Sequence, residues 1–139
     1  VGREGRTLRD KWQEEGTKTF LGSHSKGIPN LFMISGPQGG GGSFNFTNAI
    51  EEHGDYVDWL LETMRDQGKG VVDVEAGPAD TYAKHCRDAD QLTRPLRDCI
   101  TYYNGHGEAE PGSLAYYGGG TWHKYRTRAQ ETLEPYIFD

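Results

Sequence analysis

One segment of the chain has a clear helical pattern of hydrophobic positions. Between residues 46 and 64, apolar side chains and one histidine recur at the spacing of one face of an α-helix. They are Phe46, Ala49, Ile50, His53, Val57, Leu60, Leu61 and Met64. Asn45 or Asn48 is suited to cap the start of this helix, and Gly68 is suited to end it. The pattern predicts one long amphipathic helix.

A short apolar run precedes that helix. Residues 31–34 (LFMI) lie between a turn signal at residues 27–30 and the Gly36-Pro37 pair. A short, continuous apolar run bounded by turn residues is typical of a strand buried on both faces, as in a parallel sheet. We therefore expect an inner strand at residues 31–34. The other strands of its sheet would come from residues upstream of Val1.

Several shorter segments complete the predicted secondary structure. Extended pieces are expected at residues 19–22, 71–74 and 114–117, and helical pieces at residues 8–12, 78–93 and 121–133. The stretch from residue 102 onward is rich in glycine and aromatic residues and predicts mostly loop structure.

Charge and composition exclude some function classes. The 139 residues carry a net charge of −6, which argues against a nucleic-acid-binding surface. No apolar run approaches the length of about 20 residues that spans a bilayer, so no membrane partner is expected. Two cysteines fit a reduced compartment, and we expect a cytoplasmic protein. Because the chain begins at Val1 without a secretory pattern, we expect a piece of a longer protein.

The strongest candidate for chemistry is the segment at residues 29–46 (PNLFMISGPQGGGGSFNF), which predicts a strand, a glycine-rich loop and a helix start. A helix N-terminus attracts phosphates or electron-rich ring oxygens, and glycines let a backbone approach a flat ligand. The segment is neither a P-loop nor a G-x-G-x-x-G motif. From composition alone a flexible loop is favoured over a cofactor contact, and a GGGGS linker at residues 39–43 is a further alternative.

Two other features carry less weight. The five histidines form no recognisable ligand pair, so no metal site is predicted. The aromatic run at residues 116–125 (YYGGGTWHKY) could stack a base or a sugar, although such clusters more often pack in a core or an interface.

Taken in order, several motifs resemble one enzyme family. GREGRTLRDKW, TKTFLG, GIPNLFMISGPQ, Asn45 and the IEEH of residues 50–53 are similar to the C-terminal part of flavin-dependent Baeyer–Villiger monooxygenases, such as cyclohexanone and phenylacetone monooxygenases. The resemblance runs through the whole chain and is strongest from residue 5 to residue 64. It favours a natural glycine loop over a linker, because the spacing from Gly36 to His53 matches the family without an insertion.

The resemblance implies a fold. The chain would be an α/β fragment of a flavoprotein with two dinucleotide-binding domains, one for FAD and one for NADPH. Residues 1–70 would end the FAD-binding domain with a flavin-adjacent loop and helix, and residues 71–139 would form a C-terminal helix and a wrapping tail. The family's dinucleotide motifs and its active-site arginine lie upstream of such a segment. No catalytic residue is therefore expected here, and the missing N-terminal FAD and NADP domains are the expected partner.

The resemblance also implies site residues and an activity. The residues expected at the cofactor are Gly36, Pro37, Gln38 and Asn45, and those expected to line the substrate pocket are Gly42, Ser43 and Phe46. The family uses NADPH and FAD to insert oxygen beside a ketone carbonyl, giving an ester or lactone. A fragment of such an enzyme, inactive alone, is the leading hypothesis. The alternatives are an N- or S-oxygenase of the same architecture and a non-catalytic acidic binding module.

Overall fold

The computed structural model describes residues 1–40, 45–90, 98–110, 112–114 and 120–139. Within these ranges the elements are α1 (Leu8–Glu15), α2 (Phe46–Asp66), β1 (Val72–Val74), α3 (Ala76–Ala89), α4 (Thr121–Thr132) and β2 (Tyr136–Phe138). Two short 3-10 segments lie at Arg3–Gly5 and Tyr102–Gly107. The predicted strand at residues 114–117 lies largely outside the described residues.

Helix α2 forms where the hydrophobic pattern predicts it. The Asn45 side chain accepts a hydrogen bond from the Thr47 N–H at 2.9 Å, which caps the first turn. At the other end Gly68 has φ of +65°, the left-handed conformation that glycine adopts without strain. There the Lys69 N–H donates to the Met64 carbonyl at 2.8 Å, which satisfies a carbonyl at the helix end. Both predicted boundaries are confirmed.

The buried face of α2 differs in part from the predicted one. Ala49, His53, Tyr56, Leu60 and Met64 are buried. Of the predicted face, three members are exposed instead, namely Phe46, Ile50 and Leu61. The apolar surface of α2 is therefore wider than the core that it covers here.

The other helices begin close to the predicted positions. Helix α1 starts after Thr7, whose side chain accepts from the Asp10 N–H while the Asp10 carboxylate accepts from the Thr7 N–H. Helix α3 starts at Ala76, so Pro78 occupies its third position rather than its first. Helix α4 spans most of the predicted closing helix.

The sheet has two antiparallel strands. β1 pairs with β2, with Val72 opposite Phe138, Asp73 opposite Ile137 and Val74 opposite Tyr136. The extended piece predicted at residues 71–74 is thus a strand, and its partner is the C-terminal segment. At residues 19–22, the predicted strand is reduced to an isolated bridge between Phe20 and His24.

The predicted inner strand at residues 31–34 is wrong for this chain. These residues have no strand partner in the described part of the chain. Met33 donates its N–H to the Ser23 carbonyl at 2.9 Å, but no regular ladder follows. The side chains are half-buried, and Ile34 is 46% exposed. An apolar run becomes a strand only where a neighbouring backbone offers regular pairing, and here that neighbour is itself irregular.

The ends of this run explain why it stays short. Asn30 and Ser35 both have left-handed backbone conformations, with φ of +57° and +52°. A left-handed residue turns the chain away from the extended direction. The run is therefore confined between two turns.

One hydrophobic core joins both halves of the chain. Its largest fully buried side chains include Phe20, Tyr56, Tyr82 and Trp122. Phe20 makes edge-to-face contacts with Tyr82 and Tyr136, with ring centroids 5.6 and 6.1 Å apart. Residues before and after position 70 thus pack together in a shared core.

Candidate functional site

A tight loop at residues 35–40 links the 31–34 run to the segment before α2; we call it the 35–40 loop. Ser35 and Gln38 adopt left-handed backbone conformations, with φ of +52° and +63°. The Gly36 N–H donates to the Gly22 carbonyl at 3.1 Å, and the Gly39 N–H donates to the Gly36 carbonyl at 3.0 Å. The described part of the glycine segment is therefore fixed by backbone hydrogen bonds rather than being a simple flexible linker.

The glycines of this loop permit a close approach between two backbone segments. A Cβ added to Gly36 would lie 2.5 Å from the Gly22 carbonyl oxygen, and one added to Gly22 would lie 2.3 Å from the Gly39 Cα. Neither separation is sterically possible without movement of the backbone. The sequence predicted a close approach to a ligand at these glycines. In the structure, the close contact is instead between the backbone of residue 22 and that of residues 36–39.

Gln38 shapes the loop from inside the protein. Its side chain is fully buried, with Oε1 accepting from the Thr19 N–H at 2.8 Å and Nε2 donating to the Thr17 carbonyl at 3.2 Å. Its N–H donates to the Leu114 carbonyl at 3.0 Å, and its carbonyl accepts from the Tyr82 hydroxyl at 2.6 Å. A contact between the Gln38 side chain and a cofactor would require these hydrogen bonds to break.

His53 holds both ends of the 35–40 loop. Its Nδ1 lies 3.2 Å from the Ser35 nitrogen and 3.2 Å from the Ser23 hydroxyl, and its Nε2 lies 3.1 Å from the Gly39 carbonyl oxygen. Because the Ser35 N–H can only donate, Nδ1 carries the lone pair and Nε2 carries the proton. Burial lowers the pKa of His53 and outweighs the backbone hydrogen bonds to Gly39 and Met33, which raise it. We call these two contacts, Ser35 to Nδ1 and Nε2 to Gly39, the His53 bridge.

Helix α4 fixes the plane of the His53 ring. The Trp122 indole stacks on the imidazole, with centroids 4.8 Å apart and planes 18° from parallel. The Arg126 guanidinium lies over the same indole at 5.4 Å and forms an ion pair with Glu52. The sequence pattern places His53 on the apolar face of a helix but does not indicate this role. A lone histidine among apolar positions was the available signal.

The first turn of α2 faces solvent. The Asn45 side chain accepts from both the backbone and the hydroxyl of Thr47, so it is occupied by capping. The first turn has no acidic residue, so no charged side chain within it offsets the positive end of the helix dipole. Phe46 is 64% exposed and Ile50 is 41% exposed, and a spacing of four places them on one face. This end of α2 presents an apolar surface beside a partial positive charge.

The remaining predicted site residues divide between described and undescribed positions. Pro37 is half-buried, and its carbonyl accepts from the Thr19 hydroxyl at 2.6 Å. Gly42 and Ser43 lie outside the described residues. The structure thus brings Gly36, Pro37 and Gln38 into one loop, while the position of that loop relative to a cofactor remains a prediction.

A second buried histidine lies in the core. His24 makes edge-to-face contacts with Phe32, Tyr56 and Tyr136 at 5.5 to 6.0 Å. Its Nε2 is buried and has no hydrogen-bond partner among the described residues. Burial lowers the pKa of His24 to about 4, despite a hydrogen bond to the Leu31 backbone that raises it. The histidine is therefore neutral in the folded protein near neutral pH.

Among the described residues, no group of three or more histidine, cysteine or acidic side chains is arranged to hold a metal ion. No helix in the described ranges combines the length and the apolar character needed to cross a membrane.

Comparison with known proteins relates the chain to monooxygenases. No family model matches it. An uncharacterized monooxygenase, y4iD, of Sinorhizobium fredii is 41% identical over 100 residues, covering 69% of this chain and 14% of its own length. The Baeyer–Villiger monooxygenase peniC of Penicillium patulum is 30% identical over 125 residues, covering 86% of this chain and 20% of its own length. The chain is a relative of the Baeyer–Villiger monooxygenases. It spans a fifth or less of the length of these two curated relatives.

A solved structure agrees on the fold. The OTEMO complex with FAD and NADP superimposes with a TM-score of 0.76 at 20% identity, over 99% of this chain and 25% of that one. The predicted fold class, a fragment of a Baeyer–Villiger-type flavoprotein, is thereby confirmed. These likenesses favour an enzyme fragment over an acidic binding module.

The exposed residues around α2 are compatible with a flavin. A flat, electron-rich ring system would meet the apolar Phe46 side chain and a helix N-terminus whose first turn has no acidic residue. Gly36 and Pro37 are half-buried, so part of the 35–40 loop is accessible, whereas Gln38 is not. The loop backbone and the start of α2, rather than the Gln38 side chain, are therefore the groups that fit such a ligand.

Proposed function

We propose that the protein containing this chain is a flavin-dependent monooxygenase of the Baeyer–Villiger type, which inserts oxygen beside the carbonyl of a ketone to give an ester or lactone. FAD and NADPH are its proposed cofactors. The reducing equivalents come from NADPH, and the flavin supplies the oxygen chemistry when it is bound. The support for this proposal is the relationship to Baeyer–Villiger monooxygenases together with the ordered loop beside α2.

The proposed contribution of this chain is to shape the site. The backbone of Gly36 and Pro37 and the N-terminus of α2 would border the flavin, with Asn45 holding the first helical turn. Phe46, which is 64% exposed, would form an apolar part of the substrate pocket together with Gly42 and Ser43. The residues that bind the nucleotide portions of FAD and NADPH would lie in the missing N-terminal domains.

The observation on which the proposal mainly depends is the way that the 35–40 loop is held in place. Backbone hydrogen bonds and the buried Gln38 side chain hold this loop, and the His53 bridge ties it to α2, whose first turn is exposed to solvent. A rigid loop next to an exposed apolar residue suits the positioning of a flat ring and a small apolar substrate. Two cysteines without a disulfide in the described residues fit the proposed cytoplasmic location.

The test uses the full-length protein that includes this chain. We expect the purified protein to carry FAD, visible by its absorbance, and to oxidise NADPH faster when a cyclic or linear ketone is present. With ¹⁸O₂, one labelled oxygen should appear in an ester or lactone product, as measured by mass spectrometry. Labelled product from a sulfide or an amine, with none from any ketone, would favour heteroatom oxygenation and contradict the proposal. Absence of flavin from the purified protein would contradict both the Baeyer–Villiger proposal and heteroatom oxygenation.

A further inference from the structure

We propose that His53 is a positioning residue that holds the 35–40 loop in the shape required at the flavin, and that α4 supports it through Trp122. The expected effect on the flavin rests on the proposed function, whereas the His53 bridge itself is a feature of this chain. The bridge consists of one neutral imidazole that is hydrogen-bonded to Ser35 and to Gly39, four residues apart in the loop.

The geometry makes the two hydrogen bonds depend on one tautomer. Nδ1 must accept from the Ser35 N–H at 3.2 Å, and Nε2 must donate to the Gly39 carbonyl at 3.1 Å. The Ser23 hydroxyl, 3.2 Å from Nδ1, can donate to the same lone pair. The neutral ring with its proton on Nε2 satisfies all of these contacts at once.

The surroundings leave the ring little freedom to move. His53 is fully buried, and a Cβ on Gly39 would lie 3.1 Å from the imidazole Cε1, so the loop backbone packs against the ring edge. Trp122 stacks on one face of the ring, and its indole N–H donates to the Leu21 carbonyl at 2.8 Å. Because the ring plane is fixed, the positions of the Ser35 nitrogen and the Gly39 oxygen are fixed with it.

The location of the bridge gives it a functional meaning. The segment between its two contacts is Gly36-Pro37-Gln38, which is the segment proposed to border the flavin. Gln38 is already held by Thr17 and Thr19, so the bridge acts on the more accessible residues, Gly36 and Pro37. Loss of the bridge should therefore loosen the flavin-facing backbone while the core remains folded.

The experiment compares four variants of the full-length protein. His53→Phe keeps the stacked ring and removes both hydrogen bonds. His53→Asn keeps an acceptor near the position of Nδ1, and His53→Gln keeps a donor near the position of Nε2. Leu60→Ala, two turns along the same helix and fully buried, is the matched control that weakens the core without touching the loop.

The first measurement needs no cofactor. In FAD-free protein, amide hydrogen exchange at Ser35 should rise about ten-fold or more in His53→Phe, because the Ser35 N–H loses its buried imidazole acceptor. Leu60→Ala should leave exchange in this loop unchanged. Should His53→Phe not fold, the two amide variants decide: Asn, which keeps an acceptor for the Ser35 N–H, should protect residue 35 better than Gln, which keeps only a donor to the Gly39 carbonyl. Equal protection of residue 35 in both amide variants would overturn the bridge.

The second measurement links the bridge to the flavin. FAD should dissociate about ten-fold more readily from His53→Phe than from Leu60→Ala at equal thermal stability, and less NADPH oxidation should end in oxygenated product. If the two variants hold FAD and use NADPH equally well, the positioning role is overturned. If the wild-type protein binds no flavin, the proposed function fails, while the exchange result still decides the existence of the bridge.

Discussion

The indole N–H of Trp122 donates a hydrogen bond to the carbonyl of Leu21, at 2.8 Å across 101 positions of sequence. Both residues are buried, and Trp122 also carries the stack on His53. The Trp122 side chain thereby connects α4 to the segment around Leu21, which lies beside the 35–40 loop.

Removal of this hydrogen bond should destabilise the chain. Trp122→Phe keeps an aromatic ring but leaves the Leu21 carbonyl without its donor, and we expect the free energy of unfolding to fall by about 1–3 kcal/mol. Trp59→Phe is the control, because Trp59 is only partly buried against the core. Denaturant unfolding monitored by circular dichroism measures both. An equal or larger loss in Trp59→Phe would show that the indole hydrogen bond is not a major contribution.

Helix α2 shows what sequence can predict. Its start, its end and four of its buried positions follow from local signals, namely the Asn45 cap, the Gly68 stop and the helical spacing. The exposed Phe46 and Ile50 belong to the same apolar pattern. A hydrophobic pattern identifies residues that favour burial, but it does not say which partner buries them.

The features that escaped prediction all depend on distant backbone. Residues 31–34 looked like a strand because strand propensity is local, whereas ladder partners are not. The burial of Gln38 depends on carbonyl and amide groups at residues 17 and 19, and the role of His53 depends on a loop 14 to 18 positions away. No spacing rule connects such positions, so the resemblance could suggest candidate site residues but could not predict the contacts that hold the 35–40 loop.

Acid should weaken the fold through His24. Its pKa falls from 6.5 to about 4 on folding, mainly by burial, so the unfolded chain binds a proton more readily between these values. Stability is therefore fully present above pH 6.5 and is lost as the pH falls towards 4. Between pH 7.5 and pH 5 the His24 contribution to the free energy of unfolding should decrease by about 2 kcal/mol.

The measurement for His24 is the pH dependence of denaturant unfolding in wild type and His24→Phe. Phenylalanine suits the aromatic surroundings of Phe32, Tyr56 and Tyr136 and does not titrate. Groups that do not interact with His24 contribute equally to both proteins, whereas His53 and Asp73 interact electrostatically with it. The stability loss between pH 7.5 and pH 5 should be smaller in the variant, and identical losses would rule out His24 as a source.

Two glycine-to-alanine substitutions should act in opposite directions. A Cβ on Gly36 would lie 2.5 Å from the Gly22 oxygen, so Gly36→Ala should cost about 1–3 kcal/mol of unfolding free energy. Nothing lies within 4 Å of a Cβ on Gly54, inside α2, so Gly54→Ala should add about 0.5–1 kcal/mol. Thermal unfolding of both variants tests the pair. A neutral Gly36→Ala would contradict the close backbone approach.

The 139-residue chain should not catalyse the proposed reaction by itself. It spans a fifth or less of two related monooxygenases and carries no dinucleotide-binding G-x-G-x-x-G motif. NADPH absorbance, followed with added FAD and a panel of ketones, should not decrease faster than in the protein-free control. Sustained, ketone-dependent oxidation by the purified chain would show that the hydride site lies within it.

In the full-length protein, substitutions near the start of α2 should change substrate preference more than they change cofactor binding. Gly42→Leu should narrow the proposed pocket and shift kcat/KM towards smaller ketones by about ten-fold, because each methylene in an apolar pocket changes discrimination by roughly 1–3 kcal/mol. Phe46→Ala should shift it towards bulkier ketones. Leu61→Ala, at an exposed position farther along α2, is the matched control and should change neither. Bound FAD, measured by absorbance, should stay constant in all three variants. If Gly42→Leu or Phe46→Ala loses FAD without changing the order of preferred ketones, these residues border the flavin rather than the substrate.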